Sequence, residues 1–189
     1  MFELLQIIYW LALSTWFGSV LFIAVAAPVV MRSVRESNPV IPSILSVNLE
    51  GQHGTLLGGA IVGNIMNVLV RVQLVCAAAL LLALVGHWAE LPRQGAGLVM
   101  QLVRNALYLA AVGLLVYQWR ALWPRMWRYR QEYIDHADEP DVANPALDQF
   151  DRLQHDNAVV LVMLLAALLG MILFSANIYK VYPVAGGAA

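Results

Sequence analysis

The sequence predicts an all-α membrane protein, a four-helix transmembrane bundle, and three observations carry that expectation. Hydrophobic residues make up 61% of the 189 positions and charged residues 12%, with a mean hydropathy of +0.70; in soluble domains about a quarter of the residues are charged. Uncharged runs long enough to cross a hydrocarbon core, which takes about 20 helical residues, recur along the chain. The charges that remain gather between those runs. A net charge of −1 gives no ground for nucleic-acid binding. Cys76, the one cysteine, can form no internal disulfide and cannot build a thiolate metal site alone.

The first helix is expected over 4–31, which holds no charged residue. Its start does not resemble a secretory leader, because the first charge is acidic Glu3 and the next is Arg32. Ser14 and Gly18 form a small-x-x-x-small pair that lets a neighbouring backbone approach, so this face is expected to point into the bundle. Pro28 and then Arg32, Arg35 and Glu36 mark its exit. Asn38-Pro39, Pro42 and Gly51 make residues 32–54 a connector, with room for a short amphipathic piece over 42–49.

A single helical pattern covers 55–88, interrupted by one charge, Arg71. Its length exceeds a crossing, so part of it must tilt or project into water. Gly59, Gly63, Asn67 and Arg71 recur every four residues and share one stripe. His87 and Trp88 mark the far boundary.

Pro92, Gly95 and Gly97 punctuate a short loop, after which the third helix is expected over 98–134. Its uncharged centre, 105–119, spans only if Arg104 and Arg120 extend their guanidinium heads toward opposite interfaces. Beyond it Arg120, Arg125, Arg128 and Arg130 interleave with Trp119, Trp123 and Trp127, the composition of a membrane interface. That stripe can serve as an anchor or hold anionic lipid headgroups. Pro124 is expected to kink the helix without ending it. Glu132, Asp135, Asp138, Glu139, Asp141 and Asp148 then reverse the sign around Pro140.

The fourth helix is expected over 145–179, with Asn144 as N-cap and Pro145 at its first position. Ala166 and Gly170 make a second close-packing pair. Residues 180–189 read as a mobile tail.

Basic residues fall unequally on the two sides. Arg32, Arg35, Arg120, Arg125, Arg128, Arg130 and Arg152 flank the first and third connectors, against Arg93, Arg104 and Lys180. The positive-inside rule then places both termini in the periplasm of a bacterial-type inner membrane and extends helices 2, 3 and 4 on the cytoplasmic side. There, Phe150 to Asn157 is dense in ionisable groups and opens an uncharged helix. Equal counting from Pro140 sets Asp151 opposite Arg128 and Asp156 opposite Arg125. The expected site is therefore a polar inner mouth built from Asn67, Arg71, Arg120, Asp151, Arg152, His155 and Asp156. Arg71 leads that set, because ionisable groups at membrane depth are costly and mark a site or an ion pair.

Three landmarks resemble the transmembrane protein 205-like family: Ser14-Thr15-Trp16-Phe17-Gly18 with Pro28, Gly59-Ala60-Ile61-Val62-Gly63, and Phe150-Asp151-Arg152-Leu153-Gln154-His155. The resemblance implies a four-helix membrane protein without an established activity, with Trp16, Gly18, Gly59, Gly63 and Phe150 as structural positions. Here Gln154 separates Leu153 from His155, which the family sets side by side. The family also looks like a distant relative of copper-uptake proteins and of a haem-holding membrane oxidase, although no histidine precedes His53 in this chain.

Binding or passage of a small molecule or lipid at the inner mouth is the function expected. Haem or copper held by His53, His136 and His155, with Met66 or Met126, is an alternative, since imidazole and thioether suit both. A third is an accessory subunit of a larger complex or a homo-oligomer, docked through the small-residue faces of helices 1 and 4. Nucleotide loops and catalytic triads are missing, which leaves an enzyme the less favoured class and no cofactor as the default.

Overall fold

The computed structural model describes residues 2–37, 53–90, 96–136 and 139–181. The amphipathic piece expected over 42–49, most of the loop before the third helix and the tail beyond Val181 lie outside them. Five α-helices and one π turn account for the described residues: α1 (Phe2–Glu36), α2 (His53–Glu90), α3 (Ala96–Tyr117), the π turn Gln118–Leu122, α4 (Trp123–Asp135) and α5 (Pro140–Val181). Segments of α1, α2, the α3–α4 rod and α5 are long and apolar enough to cross a membrane: Glu3–Glu36, Leu57–Trp88, Leu98–Asp135 and Pro140–Asn177. The described residues are thus helical throughout their regular structure, and four helices of this length and composition are consistent with an integral membrane protein.

Helix α1 keeps Pro28 in its interior and runs on to Glu36. Proline removes one backbone hydrogen bond, and membrane helices tolerate that where neighbours and local adjustment satisfy the freed groups. Glu3 in the first turn and Arg35 in the last complement the helix dipole, and Arg32 bridges to Glu36 at 2.8 Å.

Pro124 neither ends the third rod nor leaves it regular. Its ring and missing N–H conflict with the carbonyl four residues back, and the chain widens just before it into the π turn. The Trp123 N–H bonds the Gln118 carbonyl, five residues back. Helix α5 starts earlier than expected, at Pro140. The Glu139 carbonyl accepts from the N–H groups of Val142 and Ala143, so the first turn closes before Asn144, and Pro145 lies inside the helix.

The chain divides into two compact units, one taking the chain through Val20, Arg71–Leu115 and the chain from Val162, the other Leu21–Val70 and Val116–Leu161. In the first, buried residues on every helix alternate spacings of three and four. Tyr9, Leu13, Trp16 and Val20 are the buried row of α1, and Gln73, Ala77, Leu80, Leu84 and His87 that of α2. On α3 the row is Gln101, Arg104, Tyr108, Ala111 and Leu115; on α5 it is Leu164, Leu168, Met171 and Ser175. A period near 3.5 is what interlocking side chains of near-parallel helices require. The Tyr108 hydroxyl donates to the Ala77 carbonyl at 2.9 Å, tying α3 to α2.

The expected inward face of α1 turns out instead. Ser14, Thr15 and Gly18 are exposed, and nothing lies within 4 Å of where a Gly18 Cβ would stand. The seam through Tyr9, Leu13 and Trp16 takes the inner side and rotates the small residues away from it. Ser14 needs no partner there, because its hydroxyl donates to the Trp10 carbonyl at 2.7 Å.

In the second unit the tight approach between α1 and α2 lies at glycines other than Gly59 and Gly63. A Cβ on Gly54 would stand 3.0 Å from the Arg35 Cα, and one on Gly58 would stand 2.8 Å from the Met31 sulfur. Gly59 and Gly63 have looser neighbours, Arg130 Nε at 4.0 Å and Trp127 Cζ2 at 3.7 Å. The backbone contact therefore belongs to Gly54-x-x-x-Gly58.

Candidate functional site

The seam of the first unit carries polar side chains where lipid-facing and core-facing positions are otherwise apolar. Tyr9 on α1, His87 on α2, Gln101 and Arg104 on α3 and Ser175 on α5 are each 0% exposed. Gln101 and Arg104 are three residues apart and share one face of α3. Arg104 is the one fully buried side chain of fixed charge among the described residues. An ion taken out of water costs several kcal/mol unless neighbours replace its hydration.

Those neighbours come from different helices. The Tyr9 hydroxyl and Ser175 Oγ lie 2.5 Å apart, either one able to donate. The Arg104 guanidinium carbon sits 5.6 Å from the centre of the Tyr9 ring, within cation–π reach. The His87 ring is tilted by 53° against the same tyrosine, 5.6 Å between centroids. His87, Gln101 and Arg104 each have a further partner. Tyr9 is the hub, touching three helices from a fourth. Hydroxyls, an imidazole and a carboxamide both donate and accept, and the guanidinium only donates. Such a set can hold a polar group or move a proton between its members.

Two expectations are corrected here. Arg104 does not extend its head out of the protein, and His87 does not face outward beside Trp88; both are enclosed by the first unit. The seam explains why. Stepping back from Leu115 through Ala111 and Tyr108 by threes and fours arrives at Arg104 and Gln101, and stepping forward along α2 from Leu80 and Leu84 arrives at His87. That spacing was the signal that could have found them.

The residues expected at the inner mouth are all exposed. Arg71 is exposed in the first unit; Asn67, Arg120, Asp151, Arg152, His155 and Asp156 are exposed in the second. Within the second unit no ion pair joins Asp151 to Arg128 or Asp156 to Arg125; among the described residues the ion pair present is Arg32–Glu36. Register is the reason. Gln118 Nε2 donates to Asn157 Oδ1 at 2.7 Å, and equal counting from that bond puts Asp151 level with Pro124 and Asp156 level with Trp119. Both are more than a helical turn from the arginines expected. Phe150 is half-buried, and Trp16 is fully buried with its indole N–H unbonded.

His136 and His155 are exposed, with His136 Nδ1 at 3.1 Å from the Glu132 carbonyl; the His53 side chain lies outside the described residues. Met66 is buried and Met126 half-buried. Among the described residues no three His, Cys, Asp or Glu side chains are grouped to hold a metal. Comparison of the chain with protein-family models, with curated proteins and with solved structures finds no match in any of the three.

Proposed function

We propose that this integral membrane protein binds, and in opening passes, a small polar molecule or a lipid headgroup, and that the buried cluster of Tyr9, His87, Gln101, Arg104 and Ser175 is where it does so. One observation supports this above the rest: five polar side chains from four helices, one of them an arginine, are enclosed in a seam whose other residues, Gln73 and the Tyr108 hydroxyl apart, are apolar. Ionisable groups in such positions are costly, and they recur where membrane proteins handle substrates, ions or protons. We place the exposed polar residues expected at the inner mouth in the cytoplasm, and both termini in the periplasm of a bacterial-type membrane. The basic bias supports this sidedness more clearly once Arg104 is set aside as buried. Kinship with the transmembrane protein 205-like family belongs to the same proposal.

Mass spectrometry of extracts from purified protein tests it. Wild type and Arg71→Gln should retain a species that Arg104→Gln and His87→Gln lose, and indistinguishable extracts would sink the idea. A visible absorbance spectrum of the same sample separates this reading from haem or copper.

The outward face of α1 favours a second reading, an accessory subunit of a larger membrane complex. Ser14 and Gly18 leave a shallow place on that helix, between exposed Leu11 and Phe22, where another helix can pack. Disulfide trapping at Ser14→Cys in a Cys76→Ser background reads out self-association. A monomer that copurifies with nothing removes this reading.

A further inference from the structure

The segment from the π turn into α4 has its own chemistry, separate from the buried cluster. Arg120, Arg125 and Arg128 are exposed, and no carboxylate lies within ion-pair distance of them among the described residues, whereas Arg32 is neutralised by Glu36. Arg125 and Arg128 are three residues apart on a helix, so two like charges share a face and repel. Nearby acids do not relieve this: Asp135 is engaged by Gln131 at 2.7 Å, and Glu132, one turn beyond Arg128, stands outside ion-pair distance.

Two of the guanidinium groups also rest against aromatic rings. Arg120 lies over the Trp119 ring at 4.6 Å and Arg128 over the Tyr129 ring at 5.0 Å. A guanidinium donates in its own plane, so a ring against its face leaves the N–H edge for an acceptor. That edge suits the paired oxygens of a phosphate. Trp119 and Trp127, each 39% exposed, set the depth, since tryptophan collects at headgroup level.

We infer that Arg120, Arg125 and Arg128 form a binding site for the phosphate of an anionic phospholipid in the surrounding bilayer. The lipid supplies the charge that the chain withholds from these three arginines, two of which already rest against an aromatic ring.

Full-length protein equilibrated in vesicles of phosphatidylcholine with a minor share of phosphatidylglycerol, then released into native mass spectrometry, gives the test. Wild type should retain phosphatidylglycerol above its bulk proportion. Arg125→Gln with Arg128→Gln should lower that enrichment by roughly five-fold per arginine, the factor equivalent to about 1 kcal/mol for each basic residue near an anionic surface. Unchanged enrichment in the double variant overturns the site. Displacement of the lipid by inorganic phosphate overturns the lipid as its occupant. Independently of any variant, a photoreactive phosphatidylglycerol should label wild-type peptides that contain these arginines; labelling elsewhere and not there overturns the site as well.

Discussion

Tyr9 carries more of the buried cluster than its single hydroxyl suggests, because its ring also faces Arg104 and His87. The hydroxyl bond to Ser175 can be measured separately from the ring. A double-mutant cycle of Tyr9→Phe and Ser175→Ala, followed by unfolding in bicelles, should return a coupling of about 1 kcal/mol, the scale of hydrogen bonds between membrane helices. Zero coupling would mean that the two hydroxyls do not bond each other. Arg104 and Arg71 make a sharper contrast. Both lie in long apolar helices, yet one is enclosed and the other exposed. Arg104→Met should lower the thermal midpoint well below that of Arg71→Met, because only the first alters an enclosed position and removes the cation from the Tyr9 ring. Equal shifts would contradict the enclosure of Arg104.

At the scale of elements, two contacts in the second unit set how helices meet. Gly54 faces backbone atoms of α1, and backbone cannot swing aside as a side chain can. Gly54→Ala should therefore cost about 1–3 kcal/mol, the range for overpacking. Gly63→Ala meets only ordinary contact at 3.7 Å and should be neutral or stabilising by up to about 1 kcal/mol, since alanine favours helix over glycine. Reversal of that order by thermal denaturation would relocate the tight crossing. The second contact is Gln118 with Asn157. Gln118 is fully enclosed and its Oε1 already lacks a partner, whereas Asn157 is half-buried. Removing the two sides should therefore be unequal. Asn157→Leu strands the whole Gln118 amide and should cost about 1–3 kcal/mol, while Gln118→Leu leaves a group that can still find water. The double variant should recover most of the loss. A double variant worse than Asn157→Leu would show that the amide pair is not a closed unit.

At the scale of the whole molecule, sidedness is the open proposal, and labelling from each side of the membrane addresses it. In a Cys76→Ser background, Gln131→Cys should react only with reagent on the cytoplasmic side and Glu3→Cys only from the opposite side; the reverse pattern would invert the topology. Much of the architecture is legible in the sequence. Four rods long and apolar enough to cross, the excess length of the second and the continuation of the third through Pro124 follow from uncharged run lengths and from what proline does to a helix. The ion pairing expected at the inner mouth was not legible. Pairing Asp151 and Asp156 with arginines required a register, and the π turn and the early start of α5 at Pro140 change it. The buried cluster was half-legible, because the three-and-four spacing is written in the chain, while the ends of apolar runs looked like places for His87 and Arg104 to reach water. Composition along a line was enough to tell that this chain has four stretches long and apolar enough to cross a membrane, and where its charges concentrate. Which side of each helix looks inward was decided by the tertiary structure alone. In a membrane both faces are apolar, as exposed Val75 and Leu82 beside buried Leu80 and Leu84 show, so only packing against the other helices tells them apart.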